Sequence, residues 1–349
     1  MENILIVGLV QYGYNTDWYK YSELLSERYN VYYLCRSATK PLISSNKVNV
    51  IYFDASNRDY YIKILGEVKK LKKHIDFKKV FVYVYPLCSL MRLLFSKEQL
   101  IMDIRTSYIK SPIATWICNK LIKWDSVFYG KISVISWGVA DFLNLNKKKC
   151  CYLPLGGEAL GYYPKDMSSL KLFYVGTFYD RNIEKTIEGL SIFKKNNPDS
   201  DVSYTIVGVG SSDEISKIRN TISSYSLEDC VHFIGEKRGE ELINLFKRHN
   251  VGVSYIPLTD YYDCQPPTKT FEYLLASMLV LATPTSENAK VINNDNGKLC
   301  DSDTPEDFAS ALSFIYENRM SYDLKDVYSQ SLMYSWKFIV ENYLLKIVL

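Results

Sequence analysis

Short apolar runs alternate with amphipathic stretches along this chain. Residues 3–8 form a strand-like run, and 17–29 place Trp18, Tyr21, Leu24 and Leu25 at helical spacing. Residues 31–35 supply a second strand, so the chain opens as a β-α-β unit. Further strands are predicted over 48–53, 80–85, 100–104, 132–135 and 150–153, with helices that include 60–74 and 112–124. Such alternation predicts a mostly parallel sheet covered on both faces. Residues 155–169 carry glycines, a proline and few periodic apolar positions, and read as an interdomain connection. A second series then begins: strands over 170–175, 202–207, 231–234, 251–256 and 279–282, with helices over 183–193, 214–225 and 240–247 and from 267–268. Late helices are predicted over 305–316 and 331–348.

The 349 residues are long for one core, and two domains are expected. Hydrophobic residues at 47% and charged residues at 23% fit a globular chain. A formal net charge of +3 gives no electrostatic footprint for nucleic acid. The start, Met1 to Gly8, lacks a basic segment and reads as a first strand. No apolar run is long enough to span a membrane. The eight cysteines include no CxxC pair, so free thiols in a reducing compartment are expected rather than a disulfide frame or zinc site. A cytoplasmic location follows.

Candidate chemistry lies at helix starts. A cation in a first turn is opposed by the helix dipole by roughly 0.3–1 kcal/mol, whereas an anion is favoured there. Lys269 follows Pro267 and Thr268, where proline suits the first turn and threonine can cap it. Arg181 stands near the start of the helix over 183–193, with Lys185 a turn further on. Two such cations suggest a phosphate ligand held by a bidentate guanidinium and a point-charge ammonium. Gly8-Leu-Val-Gln-Tyr-Gly13 lacks the middle glycine of a dinucleotide fingerprint, so Gly8 and Gly13 read as a tight turn that admits another backbone or a ligand. Asp103-Ile-Arg105 follows a strand, where ligand-facing loops of such sheets lie. His74, His232 and His249 read as structural or solvated. Lys69–His74 and Trp116–Trp124 mix basic, apolar and aromatic residues; such helices can lie on an anionic membrane, although core-facing helices with solvated lysines are the commoner explanation.

The segment Pro267-Thr-Lys269-Thr-Phe-Glu272-Tyr273-Leu-Leu-Ala-Ser-Met-Leu-Val resembles the P-x-K-x-x-E-Y-L-A-x-G-x-P-V segment of group 1 glycosyltransferases (glycosyltransferase family 4, GT-B fold). Leu275, Ser277 and Leu279 replace that pattern's alanine, glycine and proline. Members often carry two glutamates separated by seven intervening residues; Glu272 matches the second, whereas Cys264 stands at the first, preceded by Asp263. The resemblance covers most of residues 170–345. It implies an α/β chain of GT-B type: two Rossmann-like domains with mostly parallel sheets facing across a cleft. The expected division is 1–160 on the acceptor side, 161–328 for the donor, and 329–349 as a helix returning to the first domain.

The resemblance also implies a retaining transfer of a sugar from a nucleotide diphosphate sugar to a glycan or lipid-linked acceptor, as in cell-surface polysaccharide synthesis. Arg181, Lys269 and Glu272 form the implied catalytic set. Gly176, Thr177, Gly208, Gly210 and Arg238, with Asp263, Cys264 and Thr268, complete the donor site. Gly13, Asp103 and Arg105 fall on the acceptor side. Glu272 is implied to meet the ribose hydroxyls, and Asp263 to supply the sugar contact of the missing glutamate. The UDP- or GDP-sugar is a substrate, and neither metal nor other cofactor is expected. Partners are the nucleotide sugar, the acceptor and an anionic membrane surface on the inner face, without nucleic acid. The alternatives are a nucleotide-sugar epimerase of the same fold and a degenerate transferase that acts as a binding partner.

Overall fold

A computed structural model describes residues 1–37, 40–56, 59–108 and 111–349. The chain divides into two units, Met1–Leu155 with Trp336–Leu349, and Gly156–Ser335. In the first unit, strands β1 (Asn3–Val7), β2 (Asn30–Arg36), β3 (Asn49–Phe53), β4 (Lys79–Tyr83), β5 (Leu100–Ile104), β6 (Lys131–Val134) and β7 (Cys150–Tyr152) form one sheet. Their order is β3-β2-β1-β4-β5-β6-β7, and every pair is parallel. Parallel strands need crossovers. Helices α1 (Thr16–Leu25), α2 (Tyr60–Lys72) and α3 (Pro112–Ser126) supply three of them, and a short α4 (Trp137–Phe142) lies between β6 and β7. The helix predicted over 17–29 ends early, because the chain tightens through Ser26–Arg28 before β2.

The second unit holds β8 (Leu170–Thr177), β9 (Val202–Val209), β10 (Val231–Phe233), β11 (Val251–Ser254), β12 (Leu279–Ala282) and β13 (Gly297–Leu299). Their order is β10-β9-β8-β11-β12-β13, again wholly parallel. Helices α5 (Glu184–Asn196), α6 (Ser212–Ser224), α7 (Gly239–Arg248), α8 (Asp260–Asp263), α9 (Thr268–Leu274), α10 (Pro305–Asn318) and α11 (Leu324–Ser331) complete it. Helix α6 begins with a full capping box between Ser211 and Glu214. The central strands β8, β11 and β12 bury Leu170, Leu172, Phe173, Val251, Val253 and Leu279–Ala282 without alternation. Strands covered on both faces require this.

The chain ends in α12 (Trp336–Ile339), a π-helical turn (Val340–Leu344) and α13 (Leu345–Val348), which group with the first unit. Trp336 meets Tyr21 of α1 edge to face at 5.6 Å, and Lys131 of β6 donates to the Ile347 carbonyl at 3.0 Å.

Candidate active site

Helix α9 is the element on which the site is built. Its inner face buries Thr270, Phe271, Tyr273 and Leu274. The Tyr273 ring occupies the space that a Cβ at Gly252 of β11 would need, with ring carbon Cγ only 2.1 Å from that position. The Tyr273 hydroxyl accepts from Val175 N at 3.1 Å and donates to Val253 O at 3.4 Å, bridging β8 and β11. Thr270 Oγ1 adds contacts to Ser254 Oγ at 2.7 Å and to Asn288 Oδ1 at 2.9 Å. The helix starts at Thr268 with Pro267 as its cap residue, and no side chain caps it. Thr268 is thus the first helical residue and not the capping hydroxyl its sequence position suggests.

At the other end, α9 closes in a Schellman motif. Met278 N reaches Tyr273 O and Ser277 N reaches Leu274 O, both at 3.0 Å. The residue this motif twists into the left-handed region is Ser277, at φ +59°. Glycine is the residue that adopts this conformation without steric cost. The Ser277 hydroxyl is also buried without a hydrogen-bond partner.

The outward side of α9 lines a cavity of about 400 Å³ with Gly176, Arg181, Gln265, Thr268, Lys269 and Glu272 on its walls. Arg181 precedes α5, in a turn flanked by Asp180 and Asn182 at φ +49° and +50°. Its guanidinium carbon lies 4.1 Å from the centre of the Tyr262 ring. Lys269 Nζ lies 3.9 Å from the centre of the Tyr174 ring, close to Gly176, where a Cβ would fall 3.2 Å from it. An aromatic face attracts a cation without cancelling its charge. Among the described residues neither cation has an ion-pair partner, and Arg181 Nη1 is buried without a hydrogen bond.

The electrostatics follow from this. Burial and the nearby Arg181 hold the Lys269 ammonium well below the ordinary lysine range, against a smaller opposite effect of Glu272. Burial raises the Glu272 carboxyl, with Lys269 pulling the other way. Glu272 makes no hydrogen bond to the protein among the described residues, so both carboxylate oxygens remain as acceptors. Excess positive charge in a partly enclosed cavity suits a polyanion, and an acceptor carboxylate beside it suits hydroxyl groups.

Other sequence candidates lie elsewhere. Thr177 is exposed at the end of β8. Gly208 and Gly176 face each other across β8 and β9, and a Cβ at 208 would sit 1.8 Å from Gly176 O. Gly210 leads into the α6 capping box. Arg238 is exposed and pairs with Glu236 at 2.5 Å. Asp263 is engaged, accepting from Ser286 N at 2.7 Å and Ser286 Oγ at 2.5 Å. The Cys264 thiol is buried, donates to Tyr261 O at 3.3 Å, and is pushed up to about 11 by burial. Lys185 reaches Asp303 O at 3.1 Å. Gln265, which sequence reasoning passed over, lines the cavity and buries an unpartnered Nε2. Only its place beside the Tyr261–Tyr262 pair could have signalled it.

In the first unit, Gly13 turns at φ +85° with Ile43 Cδ1 2.4 Å from where its Cβ would lie, so it packs on protein. Asp103 and Arg105 do not open onto a loop surface. Asp103 is fully buried, accepting from Trp18 Nε1 and Ser133 Oγ, each at 2.7 Å. Arg105 Nε donates to Asp103 at 3.1 Å and Nη1 to Leu153 O at 2.8 Å. His249 stacks on Phe173 and satisfies both ring nitrogens, through Leu245 O and Thr205 Oγ1. No helix among the described residues is long and apolar enough to cross a membrane.

The family described as "Glycosyl transferases group 1" matches residues 169–318, which contain the whole cavity. No curated protein sequence matches the chain. Several solved structures share its fold over nearly full length. Sucrose-phosphate synthase from Thermosynechococcus elongatus is 17% identical, with a TM-score of 0.73 and coverage of 98% of this chain and 97% of that one. HepE from Anabaena in complex with UDP and glucose is 11% identical, with a TM-score of 0.74 and coverage of 98% of both. An Escherichia coli structure described as trehalose-6-phosphate bound with UDP-2-fluoro glucose is 9% identical, with a TM-score of 0.74 and coverage of 99% of both. Two parallel sheets of seven and six strands, flanked by helices, are the Rossmann-like units of the GT-B fold.

Proposed function

Residues 169–318 form a group 1 glycosyltransferase domain, and on that premise we propose that this protein moves a sugar from a nucleotide diphosphate sugar to a glycan or lipid-linked acceptor, with retention of configuration. The protein is a glycosyltransferase by that domain. One observation carries the choice of donor: Arg181 and Lys269 converge on one cavity, each backed by an aromatic ring and neither neutralised by a carboxylate. A diphosphate brings the missing negative charge. Two relatives of the same fold carry UDP or a UDP-sugar in their structures, which supports the same ligand class here.

In this reading the two cations hold the diphosphate and stabilise the charge that grows on its oxygen as the sugar's anomeric C–O bond breaks. The acceptor hydroxyl attacks from the leaving-group face, and its proton passes to the departing phosphate oxygen. Glu272 receives the ribose hydroxyls, and Gln265 Nε2 is free to donate to a donor oxygen. The domain's task is placement and charge stabilisation. An anionic membrane surface near a lipid-linked acceptor belongs to the same reading.

A thermal-shift screen with UDP, GDP, ADP and their sugar conjugates tests it. At least one nucleotide raises the melting temperature of the wild type, since a ligand bound only to the native state stabilises it. A charge-assisted contact is worth about 1.5–3 kcal/mol, so Arg181→Ala weakens that ligand at least about tenfold. No shift with any nucleotide, or an unaltered affinity in the variant, overturns the assignment.

A further inference from the structure

Helix α3 is turned inside out for a surface helix. Its exposed residues are Ile113, Trp116, Ile117, Lys120 and Trp124, followed by Val127 just past its end. Their spacing of three, four and seven places them on one face. Its buried residues are Ile122, Asp125 and Ser126, so the charged carboxylate lies inward and the indole rings outward. Ile113 is 75% exposed and Trp116 65%. Single exposed apolar residues are ordinary; a helix-long stripe with two tryptophans is a docking surface.

The inward Asp125 fixes a second apolar strip beside the first. Its carboxylate accepts from Leu87 N at 2.8 Å and Ser89 N at 3.2 Å, holding the 3-10 turn Cys88–Leu93 against α3. That turn exposes Leu87, Leu90 and Leu93, the last at 73%. Basic residues border both strips. Lys120 Nζ lies over the Trp116 ring at 5.9 Å, and Lys123 is one turn further along. On the other side, Lys72 of α2 meets the Leu94 carbonyl and the Phe95 ring, and Lys69, Lys70 and Lys73 are exposed around it. Among the described residues, Lys70 alone of these has an acidic partner, Glu67.

We propose that this face of the first unit, α3 with the Cys88–Leu93 turn, seats in the interface of an anionic lipid bilayer. The apolar stripe enters the boundary between headgroups and acyl chains, and the lysines remain among the headgroups. Charge selects this occupant: a second copy would set lysine-rim against lysine-rim, whereas an anionic bilayer complements it. Amphipathic binding of this kind sums buried apolar area with attraction to acidic lipid, and each basic residue near such a surface adds about 1 kcal/mol. Tryptophan suits the interface because its ring is apolar and its N–H polar. The inference rests on the membrane part of the proposed function and is independent of sugar transfer.

The test is co-sedimentation of the full chain with vesicles of phosphatidylcholine alone and of phosphatidylcholine mixed with phosphatidylglycerol. The wild type binds the mixed vesicles, releases as salt rises, and binds the neutral ones weakly. Leu93→Glu with Trp116→Glu, and separately Lys120→Glu with Lys123→Glu, each lower partitioning at least about tenfold with an unchanged melting temperature. The nucleotide-induced thermal shift persists in all of them, so loss of membrane binding is distinguishable from loss of the donor site. Negligible wild-type binding to both vesicles, or equal binding by the glutamate variants, overturns the proposal. So does a wild-type dimer in ultracentrifugation that Trp116→Glu dissolves without any vesicle binding, which would assign the face to a second copy.

Discussion

The ammonium of Lys269 lies over the Tyr174 ring, 3.9 Å from its centre, and among the described residues no carboxylate forms an ion pair with it. Its pKa is depressed well below the ordinary value of 10.5 by burial and by Arg181. A polyanion in the cavity favours the charged form, so binding takes up a proton wherever the free protein has lost it. Affinity for the nucleotide diphosphate therefore falls as pH rises through the depressed pKa. Calorimetry in buffers of different ionisation enthalpy reads this uptake, and Lys269→Met abolishes it. For stability the sign is opposite: the unfolded chain holds this proton more tightly, so this group's contribution increases with pH between the depressed value and 10.5. Proton uptake that persists in Lys269→Met would place the titrating group elsewhere.

Glu272 is the fifth residue of α9, beyond the reach of the helix dipole's first turn. Its carboxyl is raised by burial, so its charge weakens the folded state above that pKa, and its contribution improves as pH falls through it. Glu272→Gln removes the charge and keeps one acceptor. The expected result is an equal or higher melting temperature at neutral pH together with weaker nucleotide-sugar binding. A lower melting temperature with unaltered affinity would make the residue structural and remove the ribose contact.

Ser277 combines a left-handed backbone with a buried, unpartnered hydroxyl. The conformation costs a residue with a Cβ roughly 1–2 kcal/mol, and an unsatisfied buried hydroxyl adds about 1–3 kcal/mol. Ser277→Gly removes both, against the extra chain entropy of glycine. The variant should melt about 2–4 °C higher for each kcal/mol gained, as expected for a domain of this size. An unchanged or lower melting temperature would mean that the hydroxyl is satisfied in solution.

The succession of strands along the chain is legible where a strand is a run of buried apolar residues bounded by amphipathic helices, as Leu279–Ala282 shows. Gly297–Leu299 carries no strand signal, since a glycine and a lysine leave one apolar residue in the three. Helix α11 carries little more signal: Leu324 and Val327 are its buried apolar residues, and the third buried residue, Ser331, is polar. Arg181 and Lys269 stood out because cations oppose helix starts, although Arg181 proves to lie in the turn before its helix. Long-range pairing was invisible. Trp18 satisfies Asp103 across 85 positions, and Ser286 holds Asp263 across 23, so neither carboxylate announced its partner. The outward face of α3 was misleading in the other direction: its apolar spacing is that of a buried stripe, and only burial shows which side carries it.

The Tyr273 ring in the hollow of Gly252 makes α9 a keyed part of the second unit. A helix held by sliding apolar contacts can creep along its sheet, but one whose ring fills a gap in β11 and whose hydroxyl bonds to both β11 and β8 resists such a shift. Lys269 and Glu272 therefore stand at a fixed gauge from Gly176 before any ligand arrives. A site of this kind measures its polyanion instead of wrapping around it. A ligand one phosphate too short would meet one cation and leave the other facing empty space.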